Sequence, residues 1–189
     1  DISGNGNHGT IYGAEWTDGR LFSGSSDITT SANGSRKAVA ADLDGDGDLD
    51  VVSANQGGTI AWYENNNGDV SSWSENNIAT GLSSVWNVFA ADMDGDGDMD
   101  IISASAGNDA IAWHENNYGD ASSWSSVNIA TDADYANSVF AADMDGDGDM
   151  DVVSSSQNDD TIAWYENTSG DASSWSATNI VATSADGAF

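Results

Sequence analysis

The chain contains no cysteine, and only three of its 189 residues are cations: Arg20, Arg36 and Lys37. Without cysteine there are no disulfides, so the redox compartment cannot be read from the sequence. Against three cations stand 32 acidic residues, for a net charge of -29. Nucleic acids and anionic membranes are bound through Lys and Arg, so neither is an expected partner. No stretch of about 18 apolar residues exists that would span a membrane, and no amphipathic helical period runs anywhere along the chain. No signal peptide opens it at Asp1, so the expectation is a mature chain or an excerpt of a longer one. High charge can mark disorder. Here, however, eight Trp, five Tyr and four Phe recur at fixed places, which disorder does not require.

What the chain does have is one acidic stretch written three times. Asp42-Leu43-Asp44-Gly45-Asp46-Gly47-Asp48-Leu49-Asp50 returns as residues 92–100 and 143–151. Each copy places Asp at positions one, three, five, seven and nine, and Gly at four and six. The carboxylates are Asp42, Asp44, Asp46, Asp48 and Asp50; Asp92, Asp94, Asp96, Asp98 and Asp100; and Asp143, Asp145, Asp147, Asp149 and Asp151. On an extended chain alternate residues share one face. The two glycines instead let the chain curl, which turns several carboxylates onto one point. Like charges so gathered repel unless a cation sits among them. Hard oxygen ligands on a flexible loop suit calcium rather than zinc, and there is no thiol to argue otherwise. About three structural calcium ions are expected, which would bring the formal charge from -29 to -23.

A solvated acidic face would not need this fixed spacing or the Gly at position six, which calcium loops use for their sharp turn. An EF-hand needs Glu at position twelve and flanking helices. Position twelve is Ser53, Ser103 or Ser154, and the loops run into Val51-Val52, Ile101-Ile102 and Val152-Val153, which are strand formers. The EF-hand reading therefore fails.

The repeat period is 50 residues from Asp42 to Asp92 and 51 from Asp92 to Asp143. Trp73, Trp124 and Trp175 follow at the same spacing of 51, as do Ile60, Ile111 and Ile162. Each repeat reads as four short strands. The first is residues 38–41, copied at 88–91 and 139–142. The second begins at Asp50, directly after the acidic loop. The third is residues 59–65, copied at 110–116 and 161–167. The fourth lies around residues 76–80. Four strands in about 50 residues, repeated, predict an all-β fold of four-stranded antiparallel blades, either a propeller or an open propeller-like stack. The expected divisions are a partial N-terminal blade at 1–34, repeats at 35–84, 85–134 and 135–184, and the first strand of a following blade at 185–189. Residues 26–30 read as the last strand of an earlier blade, with residues 8–30 holding two strands, and Ala188-Phe189 matches Val139-Phe140.

With its loop and flanking strands, Phe140-Ala141-Ala142-Asp143 to Asp151-Val152-Val153 resembles the FG-GAP/VCBS repeats of integrin-like β-propellers. Thr161-Ile162-Ala163-Trp164-Tyr165-Glu166-Asn167 fits the same repeat group, and the resemblance covers residues 35–189. It implies calcium in the loop between strands one and two. Side chains at positions one, three, five and nine would bind, with the backbone carbonyl at seven. Such propellers commonly have about seven blades, whereas three full repeats stand here. Residues 1–24 also resemble the opening strands of laminin-G-like sandwiches, over too short a stretch for a lectin domain.

Trp62, Trp113 and Trp164, like the Trp73 series, recur in every repeat, which argues for blade-to-blade packing. Trp86, replaced by Asn137 one repeat later, is a candidate surface contact. His8 and His114 are isolated, and His114 stands where Tyr63 and Tyr165 do, so it reads as a packing variant. No Gly-x-Ser-x-Gly elbow occurs, and the conspicuous carboxylates are committed to metal rather than to glycoside hydrolysis. No enzyme is expected. Asn33 and Asn167 open glycosylation triplets. The sequence thus points to an extracellular calcium-binding repeat protein with a structural or adhesive role. Two alternatives are a subunit of a head-to-tail filament joined through half-blades and a carbohydrate-binding module of a larger secreted protein. The partner is accordingly a protein, a glycan or another copy of the chain.

Overall fold

A computed structural model describes residues 27–185. The chain divides into Asp1–Thr30 and Ser31–Phe189, and every element below belongs to the second unit. The strands are β1 (Ser35–Ala41), β2 (Asp50–Asn55), β3 (Thr59–Asn65) and β4 (Trp73–Ala79); β5 (Val85–Ala91), β6 (Asp100–Ser105), β7 (Ala110–Asn116) and β8 (Trp124–Ala130); and β9 (Ala136–Ala142), β10 (Asp151–Ser156), β11 (Thr161–Tyr165) and β12 (Asn179–Ala182). They form three four-stranded antiparallel sheets, each in chain order. The all-β repeat fold read from the sequence is therefore the fold observed, with one sheet per repeat.

β3 and β7 have the expected bounds. β11 stops at Tyr165, two residues short of expectation, and Asn167 pairs only through an isolated bridge to Trp175. The cause is its neighbour. β4 and β8 begin at Trp73 and Trp124, but β12 begins only at Asn179, so no strand runs beside Glu166. The Ser176 hydroxyl takes its N–H instead, at 2.9 Å. Residues 27–30, the described part of the strand expected at 26–30, form none. An extended segment becomes a strand only where a neighbour completes its ladder, and the expected partner at residues 9–11 lies outside the described residues. So do the laminin-G-like stretch at 1–24, His8 and the strand expected at Ala188-Phe189.

The core lies between sheets rather than within one. A sheet buried on both faces carries apolar residues without strict alternation, as β6 does, buried along its whole length. Ile60, Trp62 and Leu43 of the first repeat pack with Val85, Val88 and Ile101 of the second. Ile111, Trp113 and Met93 of the second pack with Val139, Val152 and Tyr165 of the third. The tryptophans of the third strand are thus inter-blade residues where a following sheet covers them. In the third repeat Ile162 and Trp164 are only half-buried.

Among the described residues every edge strand carries one extra residue, while the central ladders are regular. Arg36, Trp86 and Asn137 are skipped where β1, β5 and β9 pair with their neighbours. Ile78, Ile129 and Val181 are skipped in β4, β8 and β12. Such bulges re-aim a side chain. The Trp86 ring accordingly stacks under the Arg36 guanidinium at 4.5 Å and meets the edge of Tyr135 at 5.5 Å. Trp86 is held between protein groups of the neighbouring repeats, which accounts for it without the surface contact considered from the sequence.

Candidate metal loops

Each acidic stretch forms the connection between the first and second strands of its blade. The curl expected from the glycines is present. Gly45 and Gly47 have φ of 73° and 95°, and the pair recurs at Gly95 and Gly97 and at Gly146 and Gly148 with φ between 79° and 104°. Side chains at these left-handed positions would be strained.

The curl is fastened by the carboxylates themselves. In the first loop the Gly47 N–H donates to Asp42 Oδ2 at 3.0 Å, that of Asp46 to Asp44 Oδ1 at 3.2 Å, and that of Asp48 to Asp46 Oδ1 at 2.8 Å. The other loops repeat this pattern. Oxygens of Asp42, Asp44 and Asp46 gather within 4.8 Å of one another, as do those of Asp92, Asp94 and Asp96 and those of Asp143, Asp145 and Asp151. Positions one and three are thus brought together in every loop, position five in two, and position nine in the third.

The carboxylates at positions seven and nine have further contacts. At position seven, Asp48, Asp98 and Asp149 lie against Gly68, Gly119 and Gly170 of the turn after the third strand. A Cβ on any of those glycines would overlap the carboxylate. At position nine, Asp50, Asp100 and Asp151 are at most 2 % exposed. Asp50 accepts the N–H of Leu43 at 3.3 Å through one oxygen and that of Asn65 at 2.9 Å through the other. Asp100 does the same with Met93 and Asn116, and Asp151 with Met144 and Asn167. Position nine therefore ties the loop's start to the end of the third strand. Asp147, at position five of the third loop, accepts the Asp149 N–H and stands outside the gathered trio.

The electrostatics are those of crowded carboxylates. Desolvation, followed by the charges of Asp50 and Asp46, holds Asp44 above the ordinary carboxylate range. Desolvation and its acidic neighbours likewise raise Asp94 and Asp145. Burial pushes Asp100 up to about 6, against the opposing N–H bonds from Asn116 and Met93. A divalent ion reverses this logic by favouring the charged forms. In the first loop the direct sign of fit is Asp42 Oδ1, which is buried and accepts no hydrogen bond, whereas the Oδ1 atoms of Asp92 and Asp143 accept the N–H groups of Gly95 at 2.8 Å and Gly146 at 2.7 Å. An orphaned buried carboxylate oxygen costs free energy unless a donor or a metal meets it. All the gathered donors are hard oxygens, which suits calcium.

Two further residues are clarified by the fold. Asn167 is 1 % exposed, its amide nitrogen donates to the Met93 carbonyl at 3.0 Å, and its oxygen accepts from Gly170 and Ala172. A glycan on that nitrogen is incompatible with the folded chain. Asn33 is exposed. His114 is fully buried between the hydroxyls of Ser103 at 2.9 Å and Ser126 at 2.7 Å. Burial lowers its pKa to about 4. Since the unfolded chain takes up the proton first, the stability His114 contributes is complete above about 6.5 and is lost as pH falls toward 4. His114→Tyr, which restores the residue found at 63 and 165, should remove about 3 kcal/mol of acid sensitivity over that window. Urea midpoints of both proteins at pH 7 and pH 4.5 measure it, and parallel losses would contradict it.

The sequence did not expose the role of Asn65, Asn116 and Asn167. The signal was available, since an Asn closes the third-strand motif in every repeat. Among the described residues no helix is long and apolar enough to cross a membrane. The family model described as FG-GAP-like repeat matches residues 42–103 and again residues 92–154, together more than half of the chain. Each match runs from one acidic loop to the strand after the next. No curated protein matches the chain.

Proposed function

We propose, since this chain belongs to the FG-GAP-like repeat family, that it is a calcium-stabilised propeller-type segment of an extracellular protein, structural or adhesive and not catalytic. The observation carrying this is the gathered carboxylate trio in each of the three loops, with Asp42 Oδ1 buried and unpartnered in the first. Asp42, Asp44 and Asp46 would hold one ion, Asp92, Asp94 and Asp96 a second, and Asp143, Asp145 and Asp151 a third. The bound ion supplies charge neutralisation and a rigid loop, and no reaction. Extracellular calcium modules work at millimolar-range calcium, and a chain of net charge -29 gains from such a setting.

A second reading, head-to-tail assembly of copies, draws on the outer face of the third sheet. Ile162 and Trp164 there are half-buried, and Met144 is 51 % exposed where its counterparts Leu43 and Met93 are 1 % exposed. A blade from another copy, seated as the second repeat sits on the first, would cover them. Calorimetric titration of calcium-stripped protein, followed by electron microscopy and glycan-array binding of the loaded protein, tests these readings. Three ions per chain are expected, and no binding heat at millimolar calcium would refute the proposal. Filaments would favour assembly. Discrete particles that bind a glycan would favour adhesion.

A further inference from the structure

A line of buried hydrogen bonds runs from loop to loop across the blades. It starts at Asp50, whose carboxylate accepts the Leu43 N–H at 3.3 Å. The carbonyl of the same Leu43 accepts the side-chain amide of Asn116, from the next repeat, at 2.8 Å. The backbone N–H of Asn116 donates to Asp100 at 2.8 Å, and the other oxygen of Asp100 accepts the Met93 N–H at 3.2 Å. The Met93 carbonyl then accepts the Asn167 amide at 3.0 Å, and the Asn167 N–H donates to Asp151 at 2.9 Å. Every residue on this path is at most 2 % exposed.

The placement of Leu43 and Met93 gives the path its meaning. Leu43 lies between Asp42 and Asp44, and Met93 between Asp92 and Asp94. Those flanking carboxylates belong to the gathered trios of the first two loops. The peptide units that aim one loop's carboxylates are therefore held by an asparagine whose backbone is held by the next loop's position nine.

We infer that Asn116 and Asn167 are positioning residues that couple cation binding between adjacent blades, so that the three loops fill cooperatively. This rests on the reading of the loops as calcium sites. An ion in the second loop orders Asp92 to Asp100, which fixes Asp100, the Asn116 backbone and, through the Asn116 amide, the Leu43 peptide. The first loop then binds with less ordering left to do. Thermodynamic linkage makes the effect reciprocal. A group that orients a ligand without touching the metal typically alters affinity by about 10- to 100-fold.

The test is calcium titration calorimetry on the full chain and two variants. In the parent protein the three ions should bind with a Hill coefficient above one. Asn116→Ala removes the inter-blade bond but leaves every carboxylate in place. It should keep three ions, weaken binding at the first loop about ten-fold, and flatten the cooperativity. Asp94→Asn with Asp96→Asn removes two of the three gathered carboxylates of the second loop, and it should weaken the first loop although none of that loop's residues is changed. Three independent sites in the parent, with the first loop unaffected in both variants, would overturn the coupling while leaving the calcium reading intact. Absence of binding in the parent would overturn both. Should Asn116→Ala fail to fold, the parent isotherm and the loop-two variant decide the matter.

Discussion

Excess EDTA is expected to lower the melting temperature of this protein sharply, and added calcium to restore it. Each loop holds five carboxylates on nine residues, and desolvation with neighbouring charge already raises Asp44, Asp94 and Asp145. In the folded chain without an ion the loops must bear that repulsion, with Asp42 Oδ1 unpartnered. An ion at 100 times its dissociation constant adds about 2.7 kcal/mol per site. Three such sites contribute roughly 8 kcal/mol, and at about 2–4 °C per kcal/mol for a domain of this size the shift is roughly 15–30 °C. Magnesium should replace calcium poorly, because it demands tighter octahedral geometry and holds its own water. Differential scanning calorimetry with and without EDTA measures the effect. Superimposable melting curves would refute a structural role for the ion.

Trp113→Ala should destabilise the chain by about 3–5 kcal/mol, the usual cost of removing a buried aromatic from a packed core. Its ring is 5 % exposed and lies in the cluster joining the second and third repeats. Trp164→Ala is the control: it has the same residue type at the same repeat position, but is only half-buried. It should cost less than half as much. Urea denaturation of both variants in saturating calcium provides the comparison. Equal losses would mean that the tryptophan stabilises its own blade, and the account of the core as an inter-blade structure would fail.

The features legible in the sequence were those that recur with a fixed period. The loop's carboxylate spacing and its two glycines predicted the curl and its place between two strands. The apolar runs predicted the four-strand blade, down to the bounds of β3 and β7. What was not legible depended on neighbours. That Leu43 and Met93 are buried while Met144 is exposed follows from whether a further blade covers them, which composition does not record. The shortening of β11 follows from the late start of β12. Asn167 read as a glycosylation triplet, because three residues in a row carry no information about a carbonyl 74 positions earlier in the chain. The trio of the third loop, with position nine in place of position five, is likewise a matter of side-chain placement that identical loop spelling cannot distinguish.

The extra residue in every edge strand bears on how near-identical repeats stay separate. Three sheets of closely similar sequence in one chain invite exchange of strands, since any edge could template a neighbour's. Among the described residues only the central ladders, β2 with β3, β6 with β7 and β10 with β11, run without a break in register. Each outer strand is interrupted once. Irregular edges offer a poor template for continued pairing. The bulges thus serve as insulation between sheets, and the contact that joins one repeat to the next is side-chain packing between blade faces.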